Sequence, residues 1–291
     1  MERISKALEV ARLRVDGDWS SVEPLRVPEP APIGTPGGSD KTPASKVQYT
    51  KTRRVQVSTD ALRNHNITGG HERTPVAEAF KRIRTHVVQR MRETGVNTLG
   101  IASPRTGAGN TTVALNLAVH AAMEPDWTVL LVEADVSHPG LSKALGLGPL
   151  PGLTDFLRGD KQLEELLIDP GLGRCIMLPA GTPISGSSEL IGSARMRDLV
   201  QEIKARYPDR IVIFDLPPIL DAADGIAVLP WVEALLLVVE EGSTTQEDVL
   251  RSAQLVGNEK LIGTVLNKSA VGLSAPGKRP GFFRRLLTGD Q

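Results

Sequence analysis

Residues Gly107, Ala108, Gly109, Asn110, Thr111 and Thr112 read GAGNTT, the spacing of a phosphate-binding loop with an amide where a lysine is expected. Glycines let successive backbone N–H groups converge on an anion, and a hydroxyl such as that of Thr111 suits a magnesium ion. In a standard loop the lysine places a point charge on the outer phosphates. Asn110 donates a hydrogen bond without charge, and a charge-assisted bond is worth on the order of 1.5–3 kcal/mol. Nucleotide binding is expected to survive that exchange better than phosphoryl transfer.

Three further segments carry groups suited to the same chemistry. RIVIFD is an apolar run ending in Asp215 and followed by Leu-Pro-Pro. In a parallel sheet that end faces the ligand crevice, so Asp215 is a candidate to reach magnesium directly or through water, with a helix N-cap as the alternative. TVLLVEAD ends in Glu133 and Asp135, two apart and therefore on one side of a strand. One of them suits a metal and the other the polarising of a nucleophile; a solvated strand end is the plainer role. LIGTVLNKS ends near Asn267, whose amide suits an adenine edge.

These residues need a scaffold that brings strand ends together. Near-continuous apolar runs predict strands at Thr98–Ser103, Trp127–Ala134, Cys175–Pro179, Arg210–Leu216, Ala234–Val239 and Leu261–Asn267. Helical periodicity marks Glu72–Glu93, Thr111–Met123, Ser188–Tyr207, Asp221–Leu229 and Thr245–Val256. Buried strands alternating with helices predict an α/β fold, a P-loop NTPase with a mostly parallel, doubly wound sheet. Ahead of it, residues 1–15 are expected to form an amphipathic helix with Ile4, Leu8, Ala11 and Val15 on one face. Residues 16–71, rich in Pro, Gly and Ser, form a flexible linker, the domain spans 72–269, and 270–291 is a basic tail.

Composition narrows the partners. With 34 basic and 34 acidic residues the chain lacks the overall field of a nucleic-acid binder. No apolar run approaches the roughly 20 residues of a membrane span, and nothing resembles a signal peptide. The single Cys175 suits a reducing compartment, so the chain is expected to be cytoplasmic.

The order GxGxTT, VEADVSHPGL, DLPP and VLNKS, preceded by MERISKALE and EAFKRIRT, resembles the bacterial tyrosine kinases of capsule and exopolysaccharide assembly. Their loop belongs to the broad class that includes septum-placing and chromosome-partitioning ATPases. GLTDFLRGD, LPAGTP and SSELIGSARM are similar to the exopolysaccharide branch. The resemblance implies ATP and Mg2+ as ligands, with the GAGNTT residues and Asn267 on nucleotide, Thr111, Asp135 and Asp215 on metal, and Asp135, Asp215 and Glu133 as catalytic groups. It implies association of subunits through Glu78, Lys81 and Arg84. It also implies a membrane-embedded polysaccharide chain-length determinant as partner, at the inner face of the membrane.

Four departures point away from full kinase activity. Asn110 replaces the lysine, Glu133 stands for an aspartate, Pro104 falls where the first loop glycine would be, and the tail has no tyrosine. Only Tyr49 and Tyr207 occur in the chain. Arg105 is a candidate substitute cation or a solvent-facing loop residue. The tail's FFRRLL suits acidic lipid headgroups or a disordered end. The leading expectation is an ATP-binding regulator of polymer length or export with weakened kinase chemistry; the alternatives are an active tyrosine autokinase and a positioning ATPase.

Overall fold

The computed structural model describes residues 52–69, 72–184, 187–206 and 210–269, all within one unit, Lys51–Gln291. The helix expected at 1–15, most of the linker and the tail at 270–291 lie outside the described residues. In chain order the first elements are β1 (Arg53–Arg54), α1 (Thr59–Asn64), α2 (Pro75–Thr94), β2 (Thr98–Ala102) and α3 (Asn110–Ala121). Then come β3 (Thr128–Glu133), α4 (Leu141–Ala144), α5 (Leu153–Arg158), α6 (Leu163–Leu166), β4 (Ile168–Asp169) and β5 (Cys175–Leu178). The last are α7 (Ser188–Ile191), α8 (Ala194–Arg206), β6 (Arg210–Asp215), α9 (Ala223–Ala227), β7 (Ala234–Glu240), α10 (Gln246–Val256) and β8 (Leu261–Asn267), with a 3-10 turn at Leu229–Trp231.

The eight strands form one sheet in the order β1-β4-β5-β3-β6-β2-β7-β8. Every neighbouring pair is parallel except β4 and β5, where Ile168 lies opposite Met177. Central strands are buried on both faces, as their unbroken apolar runs require: every residue of β2 and β6 is buried. In β2 a side chain at Gly100 would meet Leu216 Cδ1 at 2.7 Å, so the glycine lets the segment beyond Asp215 lie against the sheet.

Helix α2 begins as its sequence predicts. Thr74 accepts from the Ala77 N–H, Pro75 opens the first turn, and Gly95 closes the helix at φ 70°. Its stripe of Ala77, Phe80, Val87, Val88 and Met91 is buried. Helix α3 is enclosed on all sides, with every residue from Val113 to Ala121 buried. That enclosure fixes the axis on which the phosphate loop is mounted.

Two expectations are corrected. The single helix expected over 188–207 is two, α7 and α8, because Gly192 ends the first turn and the Ser193 hydroxyl accepts from Met196 N–H at 3.3 Å to start the second. Residues 52–69, assigned by composition to the linker 16–71, form β1 and α1 and lie against the core. Ile67 is buried, and Val55, Val57 and Leu62 pack beside it. Thr68 supplies the polar anchor: its N–H and hydroxyl both donate to Asn116 Oδ1 at 2.9 Å.

Candidate functional site

The run GAGNTT leaves the loop after β2 and forms the first residues of α3, at the carboxyl edge of the sheet, where the sequence places it. Gly107 and Gly109 adopt φ of 90° and 98°, a region that side chains strain to enter. Around Gly109 the backbone is also crowded, since a Cβ there would lie 2.3 Å from Asn267 Nδ2. That amide donates to the Ala108 carbonyl at 2.7 Å, so the last residue of β8 braces the loop. The adenine-reading role expected of Asn267 therefore competes with a structural bond already made.

The other half of the loop is held by carboxylates. Asp221 accepts from the Thr106 N–H at 2.7 Å and from its hydroxyl at 2.8 Å. Arg105 donates to Asp221 at 3.0 Å and to Asp248 at 2.8 and 3.1 Å. Those bonds hold Arg105 in its charged form, the one to Asp248 contributing most. It is thus solvent-facing, as expected of a loop arginine, but held as a clamp between the loop and α10.

Asn110 opens α3 and turns its Nδ2 to the Leu216 carbonyl, 3.1 Å away; its Oδ1 is buried with no partner. The neighbouring Thr111 hydroxyl donates to Asp215 Oδ2 at 2.8 Å. Asp215 is 1% exposed, and its second oxygen, Oδ1, has no partner. Burial pushes this carboxyl well above the usual range, the Thr111 bond opposes the shift, and the nearby Glu133 and Asp135 charges add to it. Asp135 lies just past β3, accepts from His138 N–H at 2.9 Å, and is also shifted upward, chiefly by burial. Gly140 closes this loop against Thr111: a Cβ there would stand 2.9 Å from the threonine hydroxyl.

Glu133 stands apart from the role expected of it. Its carboxylate is fully buried and accepts from Leu141 N–H at 2.6 Å, Ser142 N–H at 3.4 Å, the Ser142 hydroxyl at 3.1 Å and Ala180 N–H at 3.0 Å. Four donors occupy its lone pairs, so it organises the start of α4 and the segment after β5, with nothing left for a reacting group. The structure brings Thr111, Asp135, Asp215 and Asn110 to one place and gives Glu133 a different task.

Three acids were not anticipated as parts of the site. Asp221 and Asp248 hold the loop, as above, and Asp224 receives the Ser137 hydroxyl at 3.0 Å together with the Ser187 hydroxyl. Of these only Asp248 leaves a local signature, the Thr245-x-x-Asp248 helix start in which Thr245 Oγ1 accepts from the Asp248 N–H at 3.1 Å. Expected association residues Lys81 and Arg84 bond within the chain: Lys81 to Glu78 and the Glu72 carbonyl, Arg84 to Glu124 and the His120 carbonyl.

Comparison with known proteins places this arrangement. No protein-family model matches the chain. The tyrosine-protein kinase YwqD of Bacillus subtilis (strain 168) is 30% identical over 193 residues, 66% of this chain and 80% of that protein. The succinoglycan biosynthesis transport protein ExoP of Rhizobium meliloti (strain 1021) is 30% identical over 203 residues, 68% of this chain but 25% of its own length. Among solved structures, the kinase domain of the Escherichia coli tyrosine kinase ETK superposes with a TM-score of 0.60 at 29% identity, over 70% of this chain and 77% of that one.

Proposed function

The chain belongs to the bacterial tyrosine-protein kinases, and from that premise we propose that it binds ATP with Mg2+ while its phosphoryl-transfer chemistry is weakened or lost. The observation that carries the second half is Asn110: its neutral amide gives one N–H to the Leu216 carbonyl, where a lysine would carry charge to the outer phosphates. Losing one preorganised charge-stabilising donor typically costs about 10²- to 10³-fold in turnover.

The residues fit a metal-bound nucleotide. Backbone N–H groups from Gly107 to Thr112 and the amino end of α3 hold phosphate. Thr111 and Asp215 would hold the metal, with the unpartnered Asp215 Oδ1 available as a ligand atom and the Asp135 carboxyl close enough to feel its charge. When bound, Mg2+ supplies positive charge between the phosphates and these acids. Glu133 acts as a positioning residue, by holding the start of α4.

In this reading the chain works on the cytoplasmic side of a polysaccharide export system, docking on a membrane-embedded chain-length determinant. ExoP is by its name a succinoglycan transport protein, and this chain spans 25% of it. Among the described residues no helix is long and apolar enough to cross a membrane, so in this reading contact with the membrane comes from a partner or the tail. Nucleotide then changes self-association or docking by binding one state more tightly than the other.

Incubation with labelled ATP and Mg2+, alongside Asn110→Lys, tests the proposal. Label on the substituted chain alone is the expected result. Label on the natural chain, through Tyr49 or a tyrosine of an added partner, overturns it in favour of an active kinase.

A further inference from the structure

We infer that this chain accepts nucleotide only together with a divalent cation, and that the Asn110 side-chain carbonyl faces that cation in place of the ammonium group a lysine would supply. The inference rests on the nucleotide site proposed above and goes further in saying what the substitution does to ligand choice.

The orientation of Asn110 is fixed by its neighbour. A backbone carbonyl only accepts hydrogen bonds, so the amide must present its NH2 to Leu216 O, as it does at 3.1 Å, and turn its oxygen elsewhere. That oxygen is buried and unpartnered. Asp215, whose chain neighbour Leu216 takes the Asn110 bond, has its own buried, unpartnered oxygen, the other being engaged by Thr111 at 2.8 Å. Unpaired acceptors are unfavourable in a protein interior, and here two of them belong to segments tied together by the Asn110–Leu216 and Thr111–Asp215 bonds. Each calls for a donor or a cation, and all the available atoms are oxygens, the ligands that hard divalent cations prefer.

The charges point the same way. Asp215 has the Asp135 and Glu133 carboxyl groups near enough to act on it electrostatically. Arg105, the cation within the loop, is held by Asp221 and Asp248. Lys268, next to Asn267, is paired with Glu240 at 2.8 Å. Bare nucleotide phosphates therefore approach an acidic site whose Asn110 shows them an acceptor. With a cation between them the same oxygens become ligands.

The test is a titration of the full chain with fluorescent ADP and ATP analogues, in EDTA and in Mg2+, beside Asn110→Lys. The natural chain should lose at least about 10- to 100-fold in affinity in EDTA, the size of one charge-assisted interaction. The lysine variant should lose much less. Equal affinity of the natural chain with and without metal overturns the inference and leaves the nucleotide site standing. Failure of both chains to bind in Mg2+ overturns the nucleotide site itself, and the inference with it. A second measurement needs no nucleotide: Mn2+ binding followed by electron paramagnetic resonance should weaken in Asn110→Ala, and unchanged Mn2+ affinity counts against the carbonyl as a ligand.

Discussion

Glu133 and Asp215 are both acids buried at the ends of adjacent strands, paired in register across β3 and β6, yet they are held in opposite ways. Glu133 meets four donors; Asp215 meets one and keeps a bare oxygen. Their substitutions should therefore move stability and binding in different directions. Glu133→Gln sets an NH2 against a backbone N–H and should cost about 1–3 kcal/mol in urea unfolding, the penalty for an unpaired buried donor. Metal-dependent nucleotide affinity of the folded protein should change little. Asp215→Asn keeps an acceptor for the Thr111 hydroxyl and exchanges one unpartnered buried group for another, so the metal-free protein should melt near the same temperature, while the stabilisation by Mg2+ and nucleotide disappears. Thermal melts with and without ligand separate the two. The acid-x-acid strand end was legible from residue types alone. Which acid is taken up by backbone donors was not, because those to Glu133 come from residues 141, 142 and 180 and no local pattern announces them.

At the scale of elements, the strap of residues 52–69 is where composition misled most. Its apolar residues Val55, Val57, Leu62 and Ile67 are too few to sustain one period, and much of the core they join lies far along the chain. The strap is locked to α3 by Asn116, whose NH2 donates to Asn66 O at 3.1 Å and to Thr112 O at 2.9 Å. Since the Thr68 hydroxyl gives its one proton to Asn116, the 3.0 Å contact with His120 requires His120 to donate from Nε2. Nδ1 is then left without a partner. Burial first, then Arg84 and Lys81, pull the His120 pKa down, against Glu72 and Glu78. A base whose native pKa is depressed contributes stability that is present above its unfolded value of about 6.5 and fades as pH falls below it. Hydrogen exchange at the Thr68 amide, corrected for intrinsic rate, should therefore show more frequent opening at pH 5.5 than at pH 7.5. His120→Gln should flatten that dependence. No change between the two pH values would mean that the strap holds without this histidine.

For the whole molecule, six of the eight strands could be read as apolar runs, and the parallel sheet followed from their alternation with helices. The two-residue strands β1 and β4 could not, since two residues carry no period. Strand order was equally hidden: β2 lies between β6 and β7 because of packing across the sheet, and neither is its neighbour in the chain. Self-association through Glu78, Lys81 and Arg84 remains our proposal at this scale. Arg84 is paired with Glu124 on its own chain, whereas Glu78 is the most exposed of the three, so it and its partner Lys81 are the pair to probe. Replacing both by alanine should shift sedimentation toward monomer and leave the melting temperature unchanged. Persistence of the assembly would direct attention to another face. One mechanical consequence follows from the brace at the end of β8. Two residues separate Asn267 from the start of the tail at 270, and its amide grips Ala108. The same residue accepts from the Glu241 N–H at 3.0 Å, so one asparagine couples the glycine-rich turn to the outer strand pair, and loosening either should be sensed by the other.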